Sequence, residues 1–276
     1  MEEEKKLISI VTPCYNEEMN VEELYKQVKE IMNELPNYRY EHIFIDNAST
    51  DKTVEILKKI AAEDRRLKII INLKNFGHLR SPFYGLQQAT GEAVILMVAD
   101  LQDPPFLIKD LIKKWEDGNK IVVAIKNKSE ENQFIFGVRK LYYNLIKKLS
   151  DVEQIKNFTG FGLYDKKFIE ILRTLNEPYP YFRGLITELG FNRAEINYVQ
   201  PARKKGKTKN NFYTLYDLAM LGFVNHSKIP LRLASFIGFG MSVISFIAAL
   251  VYLIYKLLFW NRFELGLAPL VIGVFF

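Results

Sequence analysis

Two rhythms of apolar and polar positions alternate along residues 7–125. Short apolar runs at 7–11, 42–45, 67–71, 94–98 and 120–125 have the length and β-branched content of buried strands. Between them, apolar residues recur at helical spacing. Val21, Leu24, Val28, Ile31, Met32 and Leu35 mark one such face, and Val54, Leu57, Ile60 and Ala61 mark the next. Pro36-Asn37 stops the first helix, and Ser49 or Thr50 is placed to cap the second, near Lys52. A third helix is expected at 79–89 with Gly91 ending it, and a fourth at 106–115 with Gly118 as its stop. Strand alternating with helix over short connections predicts an α/β domain built on a doubly wound, mainly parallel sheet.

Beyond 126 the rhythm loosens. A polar loop at 126–133 precedes a helix at 134–149, an aromatic, glycine-rich strand at 158–164, a short helix at 166–175, a break at Pro178 and Pro180, and a strand at 193–199. The pattern then changes character. Residues 212–224 are apolar nearly all round, with Asp217 the only charge, and 233–255 is a 23-residue run without any charged side chain. The second run is long enough to span a bilayer, and the first reads as a helix lying in the membrane interface. Residues 265–276 are again apolar but too short to span, and read as the start of a second transmembrane helix. The expected division is a catalytic domain at 1–211, an interfacial helix at 212–228, a transmembrane helix at 232–256 and the opening of another at 265–276.

Charge sharpens this division. The chain carries a formal net charge of +6 over 276 residues, with basic residues gathered in Arg203-Lys204-Lys205-Gly206-Lys207-Thr208-Lys209. Such a cluster suits an anionic membrane surface or a phosphorylated substrate. Basic residues on the amino-terminal side of the first span put that side in the cytoplasm, in an inner or plasma membrane. Cys14 is the only cysteine, which excludes an intrachain disulfide and fits a reducing compartment. The acidic start, Met1-Glu2-Glu3-Glu4, does not read as a signal peptide.

Candidate chemistry collects in the loops after the first four strands: Thr12-Pro13-Cys14-Tyr15-Asn16-Glu17, Asp46-Asn47-Ala48-Ser49-Thr50-Asp51, Lys74-Asn75-Phe76-Gly77-His78 and Asp100-Leu101-Gln102-Asp103-Pro104-Pro105. In a parallel sheet these gather along one edge, where open α/β sheets bind ligands. Asp100 with Gln102 or Asp103 offers hard oxygen donors of the kind that hold Mg²⁺ or Mn²⁺ against a diphosphate. Neither G-x-G-x-x-G nor G-x-x-x-x-G-K-[ST] is present, which argues against a dinucleotide enzyme and a P-loop ATPase.

Together these loops, in their order and spacing, resemble family 2 glycosyltransferases with a GT-A fold, in the branch that makes polyprenyl-phosphate sugars. The resemblance implies inverting, metal-dependent transfer of a sugar from a nucleotide-diphosphate sugar, a UDP-sugar by preference, to undecaprenyl or dolichyl phosphate. It implies that Pro13, Tyr15 and Glu17 line the nucleoside, that Asp46 accepts from the base, and that Asp51 and Lys74 support that pocket. Asp100 matches the second acid of the family's Asp-x-Asp motif, binding Mg²⁺ or Mn²⁺ with Gln102. Arg203 and Lys209 match positions that grip the acceptor phosphate. The implied partners are the donor, the lipid phosphate and the membrane; nucleic acid is not expected, and self-association is left open.

The chain departs from the family at two places. Val98 stands where the first acid of Asp-x-Asp belongs, and the segment Thr159-Gly160-Phe161-Gly162-Leu163 lacks an acid found in relatives, which leaves Asp165 as the nearest carboxylate. A sugar hydroxyl acceptor needs a base, whereas a lipid phosphate is largely ionised at neutral pH, so the missing acid favours a phosphate acceptor. The catalytic group expected from sequence is therefore Asp100, Gln102, Asp103 and Asp165. Two alternatives stay open: a processive polysaccharide synthase, although neither Trp115 nor Trp260 lies in a Gln-x-x-Arg-Trp motif, and a degenerate nucleotide-sugar binder acting as a membrane partner.

Overall fold

The computed structural model describes residues 5–127, 155–175, 177, 180–201, 220 and 229–259. The expected helix at 134–149, the basic cluster with Arg203 and Lys209, the interfacial segment at 212–228 apart from residue 220, and the apolar stretch at 265–276 lie outside these residues. The chain divides into two units, Met1–Gly222 and Phe223–Phe276.

The first unit is a seven-stranded sheet with helices on both faces. Strands β1 (Lys6–Cys14), β2 (Tyr38–Asp46), β3 (Leu67–Ile71) and β4 (Ala93–Leu96) pair in parallel in the order β3-β2-β1-β4. Beyond β4 the order continues β6 (Phe158–Asp165), β5 (Ile121–Lys126), β7 (Arg193–Tyr198). Successive crossovers alone would set β5 beside β4. Instead β6 lies between them, antiparallel to both, and β5 pairs in parallel with β7. The apolar run at 158–164 announces a strand but carries no information on its direction. The sheet is thus mixed, with β6 alone reversed.

Alternate residues of each buried strand feed two cores. Ile8, Ile10, Phe44 and Ile95 point to one face, with α1 (Val21–Asn33), α2 (Thr53–Glu63) and α4 (Ile108–Glu116). Val11, Ile43, Ile45, Val94 and Leu96 point to the other, with α3 (Gly77–Gln88), α5 (Lys166–Thr174) and α6 (Phe182–Glu188). Burial on both faces explains why these strands read as continuous apolar runs. A single turn of 3₁₀ helix, Pro105–Leu107, leads into α4.

Two local expectations are corrected. Neither Ser49 nor Thr50 caps α2; the Asp51 carboxylate accepts the Thr53 N–H at 2.9 Å and does that work, while Ser49 Oγ accepts from Asn16 N. Gly91 does not terminate α3, which ends at Gln88. It lies against β1, where a Cβ would sit 2.7 Å from the Leu7 carbonyl and 2.8 Å from Ser9 N. Helix α6 was not foreseen, because the proline break at 178–180 masked its short apolar pattern.

The second unit contains α7 (Ile229–Leu258). Its segment Leu231–Leu258 is the one helix among the described residues long and apolar enough to cross a membrane, with mean hydropathy 2.3. At 1.5 Å per residue it is about 40 Å long, more than a bilayer's hydrocarbon thickness. Leu231, Phe236 and Phe239 on it are exposed. The expected span at 232–256 falls within it.

Candidate active site

Every strand that runs with β1 delivers its last residues to one edge, and reversed β6 brings its first residues there. That edge therefore holds the loops after β1, β2, β3 and β4 together with Lys126, Thr159, Gly160 and Gln200. Asp165 is at the far end of β6, paired with Ala93 at the start of β4, whereas Asp100 follows the end of β4. The structure accordingly separates the two. Asp165 accepts from Trp115 Nε1 at 2.8 Å and Lys120 Nζ at 2.9 Å, and caps α5 through Lys167 N at 3.0 Å. Although burial alone would raise its pKa, these donors hold it below the ordinary carboxylate value. Its place in the catalytic group is corrected to a structural one.

One half of the edge is a cradle stitched from three loops. Asn16 N donates to Ser49 Oγ at 2.8 Å, Thr50 N to Asn16 Oδ1 at 2.7 Å, and Glu17 N to Thr53 Oγ1 at 2.9 Å. Asn47 ties in the third loop: its Oδ1 accepts from Phe76 N at 2.9 Å and Asn72 Nδ2 at 3.2 Å, and its Nδ2 donates to Asn75 Oδ1 at 2.8 Å. Asn16 and Ala48 take φ of +53° and +62°, values uncommon for residues with a Cβ. Pro13, Tyr15 and Glu17 lie on this cradle. Asp46 forms its floor, with no exposed surface and Oδ2 accepting from Ser49 N at 2.9 Å. Asp51 is likewise taken up by the loop, accepting from Glu18 N at 3.2 Å besides Thr53. Lys74 is exposed, its ammonium 5.2 Å from the centre of the Phe76 ring, with Arg80 5.3 Å from the same ring.

The other half is a cavity of about 310 Å³ lined by Pro13, His78, Val98, Asp100, Gln102, Asp103, Lys126, Thr159, Gly160, Tyr181, Arg183 and Gln200 among others. Asp100 Oδ1 accepts the Gln102 N–H at 3.1 Å across Leu101, whose φ of +60° folds the turn tightly. Asp103 points inward, 2% exposed, accepting from Val98 N at 3.0 Å and from the Tyr198 hydroxyl at 3.2 Å. Burial raises Asp103 to about 7; the Asp100 charge adds to that, and the Val98 N–H opposes it. Val98 is 37% exposed at the same corner. Gly160, in the segment that lacks an acid, takes φ of +110°, where any side chain would be strained. Among the described residues no group of three His, Cys, Asp or Glu side chains could hold a metal. Asp100 and Gln102 still present oxygen donors, a set that fits an ion which keeps water and phosphate oxygens in its shell.

The sequence reading placed Asp100, Gln102, Pro13, Tyr15 and Glu17 on this edge. It missed Asn47 as the joint of the cradle and Lys126, Thr159 and Arg183 as cavity walls. Asn47 lies inside the loop after β2, Thr159 reaches this edge only because β6 runs in reverse, and Arg183 sits on a helix too short to show a period.

The model of Glycosyl transferase family 2 matches residues 9–172. An uncharacterized glycosyltransferase of Bacillus subtilis is 36% identical over 250 residues, 90% of this chain and 77% of that protein. A bactoprenol glucosyl transferase of Shigella phage SfV is 32% identical over 270 residues, 98% of this chain and 87% of its own. Among solved structures, glucosyl-3-phosphoglycerate synthase from Mycobacterium tuberculosis, in complex with Mn²⁺, UDP and glucosyl-3-phosphoglycerate, has a TM-score of 0.54 at 18% identity over 78% of this chain and 76% of that one, a likeness of fold.

Proposed function

The chain belongs to glycosyl transferase family 2, and from that premise we propose that it transfers a sugar from a nucleotide-diphosphate sugar, UDP-linked, to a polyprenyl phosphate in the cytoplasmic leaflet. The observation that carries this reading is the similarity to a bactoprenol glucosyl transferase along 98% of the chain. Two features of the chain support it: the apolar helix Leu231–Leu258 suits a lipid acceptor, and the cavity at the sheet edge pairs an acidic corner with cationic walls.

In this reading the cradle of Pro13, Tyr15 and Glu17 receives the nucleoside, and Asp46 and Asp51 act through the loops they hold. Lys74 and the Phe76 ring flank its outer side. Asp100 and Gln102 would hold a Mg²⁺ or Mn²⁺ ion, which would supply charge neutralisation for the leaving diphosphate. Asp103 fixes the Val98–Asp100 backbone from beneath. The lipid phosphate arrives ionised and attacks the anomeric carbon from the face opposite the diphosphate, inverting its configuration, so no base is required where Gly160 stands. Arg203 and Lys209, outside the described residues, are the proposed grip on that phosphate. The domain would be tethered through the span at 232–256, with an interfacial helix at 212–228 and a second span opening at 265–276.

The test is direct. The full-length protein in detergent or nanodiscs, given labelled UDP-sugars, Mg²⁺ and undecaprenyl phosphate, should yield a polyprenyl-phosphate sugar by mass spectrometry, and Asp100→Ala should abolish it. A folded protein that transfers nothing to any polyprenyl phosphate across a full panel of donors would falsify the reading.

A further inference from the structure

Helix α6 brings one cation to the cavity whose role nothing so far explains. The helix is anchored by aromatic packing: the Phe182 ring meets Tyr164 edge-on at 5.0 Å and Phe168 at 6.1 Å, and Ile186 is buried. Between these anchors Arg183 lines the cavity that holds Asp100 and Gln102. Its side chain is half-buried, yet its guanidinium makes no hydrogen bond or ion pair among the described residues. Three other arginines of the same domain are satisfied. Arg66 is bidentate to Asp64, with contacts of 2.8 and 2.6 Å; Arg173 Nε donates to the Gln87 carbonyl at 2.8 Å; and Arg193 pairs with Glu195 at 3.4 Å.

A guanidinium cannot shed its proton and carries five donors in a rigid fork. Withdrawing it partly from water without a partner costs free energy that an anionic ligand would recover. Its charge is already felt in the cavity: burial first, and then the Arg183 charge, lower the His78 imidazole below its ordinary value. Lys126, the other cationic wall, is engaged with Gln200 Oε1 at 2.7 Å.

We propose that Arg183 binds phosphoryl oxygens in the transfer site, closing a phosphate between its guanidinium and the Asp100–Gln102 corner. The inference deepens the function proposed above and rests on it. Two phosphates share this chemistry, the donor's diphosphate and the acceptor's monoester, and the experiment separates them.

Arg183→Ala and Arg183→Met, the second keeping the aliphatic volume, are compared with wild type in the full-length protein. With no partner lost, both should fold, melting within about 3 °C of wild type. kcat/KM should fall roughly 100-fold, as for other donors aimed at developing negative charge. Arg183→Lys should recover only part of the loss, because a point charge replaces a fork. Added guanidinium ion should rescue Arg183→Ala and not wild type, which a purely structural role would not produce. A raised KM for UDP-sugar with weaker UDP binding assigns the donor diphosphate. A raised KM for polyprenyl phosphate with UDP binding unchanged assigns the acceptor. Variants within twofold of wild type in kcat and both KM values overturn the proposal. Should wild type transfer no sugar at all, the function above falls, and calorimetry with inorganic pyrophosphate decides Arg183 separately. Binding that Arg183→Ala weakens about tenfold sustains the site; equal affinities, or no binding by either protein, overturn it.

Discussion

Asp103 Oδ2 accepts the backbone N–H of Val98 at 3.0 Å, so the buried acid of the β4 loop holds in place the residue beside Asp100 where the resemblance implies a further acid. The loop geometry at this corner is therefore kept by Asp103, while the side chain that Val98 presents, 37% exposed, is apolar. Val98→Asp adds a carboxylate beside Asp100 on a backbone already fixed. Cation affinity follows the number of charged ligands. The substitution should tighten Mn²⁺ binding severalfold, read by the loss of free Mn²⁺ signal in electron paramagnetic resonance. Unchanged affinity would mean that the Val98 side chain does not face the ion.

Asp100 and Asp165 should behave oppositely when replaced. Asp100→Asn should remove transfer while leaving the melting temperature close to wild type, since the amide keeps an oxygen that can accept the Gln102 N–H, 3.1 Å away in the wild-type turn. Asp165→Asn weakens the bonds from Trp115 and Lys120 and the cap of α5. It should cost on the order of 1–3 kcal/mol of stability, with kcat per folded molecule unchanged. A loss of kcat in a fully folded Asp165→Asn protein would return that residue to the catalytic group.

Acid should weaken the domain through His42. The ring is fully buried on β2, its Nε2 2.9 Å from Thr12 Oγ1, and burial pushes its pKa down to about 3. The unfolded chain has an ordinary histidine, near 6.5, and takes up a proton that the fold refuses. The neutral ring thus contributes its full stability above pH 6.5, and that contribution is lost as pH falls from 6.5 toward 3. Denaturant unfolding should show stability falling by on the order of a few kcal/mol across this window. The His42→Gln protein, less stable at pH 7, should have a flatter slope there. Parallel pH slopes for the two proteins would show that His42 is not the group responsible.

These outcomes bear on how far the sequence could be read. The runs that became β1 to β4 were legible because both faces of each strand are buried, and the acidic residues after β4 were legible because Pro104 and Pro105 end the ladder there. Strand direction was not. Nothing in 158–164 distinguishes a reversed strand from another parallel one, and with that reversal Asp165 moves to the wrong edge while Thr159 and Gly160 move to the right one. Arg183 escaped for a related reason: a seven-residue helix after a proline break has too few turns to show a period.

Asn47 carries the last prediction, because one amide joins the loops after β2 and β3. Its Oδ1 accepts from Phe76 N and Asn72 Nδ2, and its Nδ2 donates to Asn75 Oδ1 and to the Gly77 carbonyl at 3.3 Å. Asn47→Ala leaves those groups to water or to each other and should cost about 1–3 kcal/mol. Since the cradle is proposed to receive the nucleoside, KM for the donor should rise more than kcat falls. Asn47→Asp is the sharper variant. A carboxylate can still accept from Phe76 N and Asn72 Nδ2, but it cannot donate, and it faces the Asn75 and Gly77 oxygens with negative charge. It should therefore be no better than alanine in UDP affinity measured by calorimetry, despite its near-identical shape. An Asn47→Asp protein that binds UDP as wild type does would show that the donating half of the amide is not what holds the third loop.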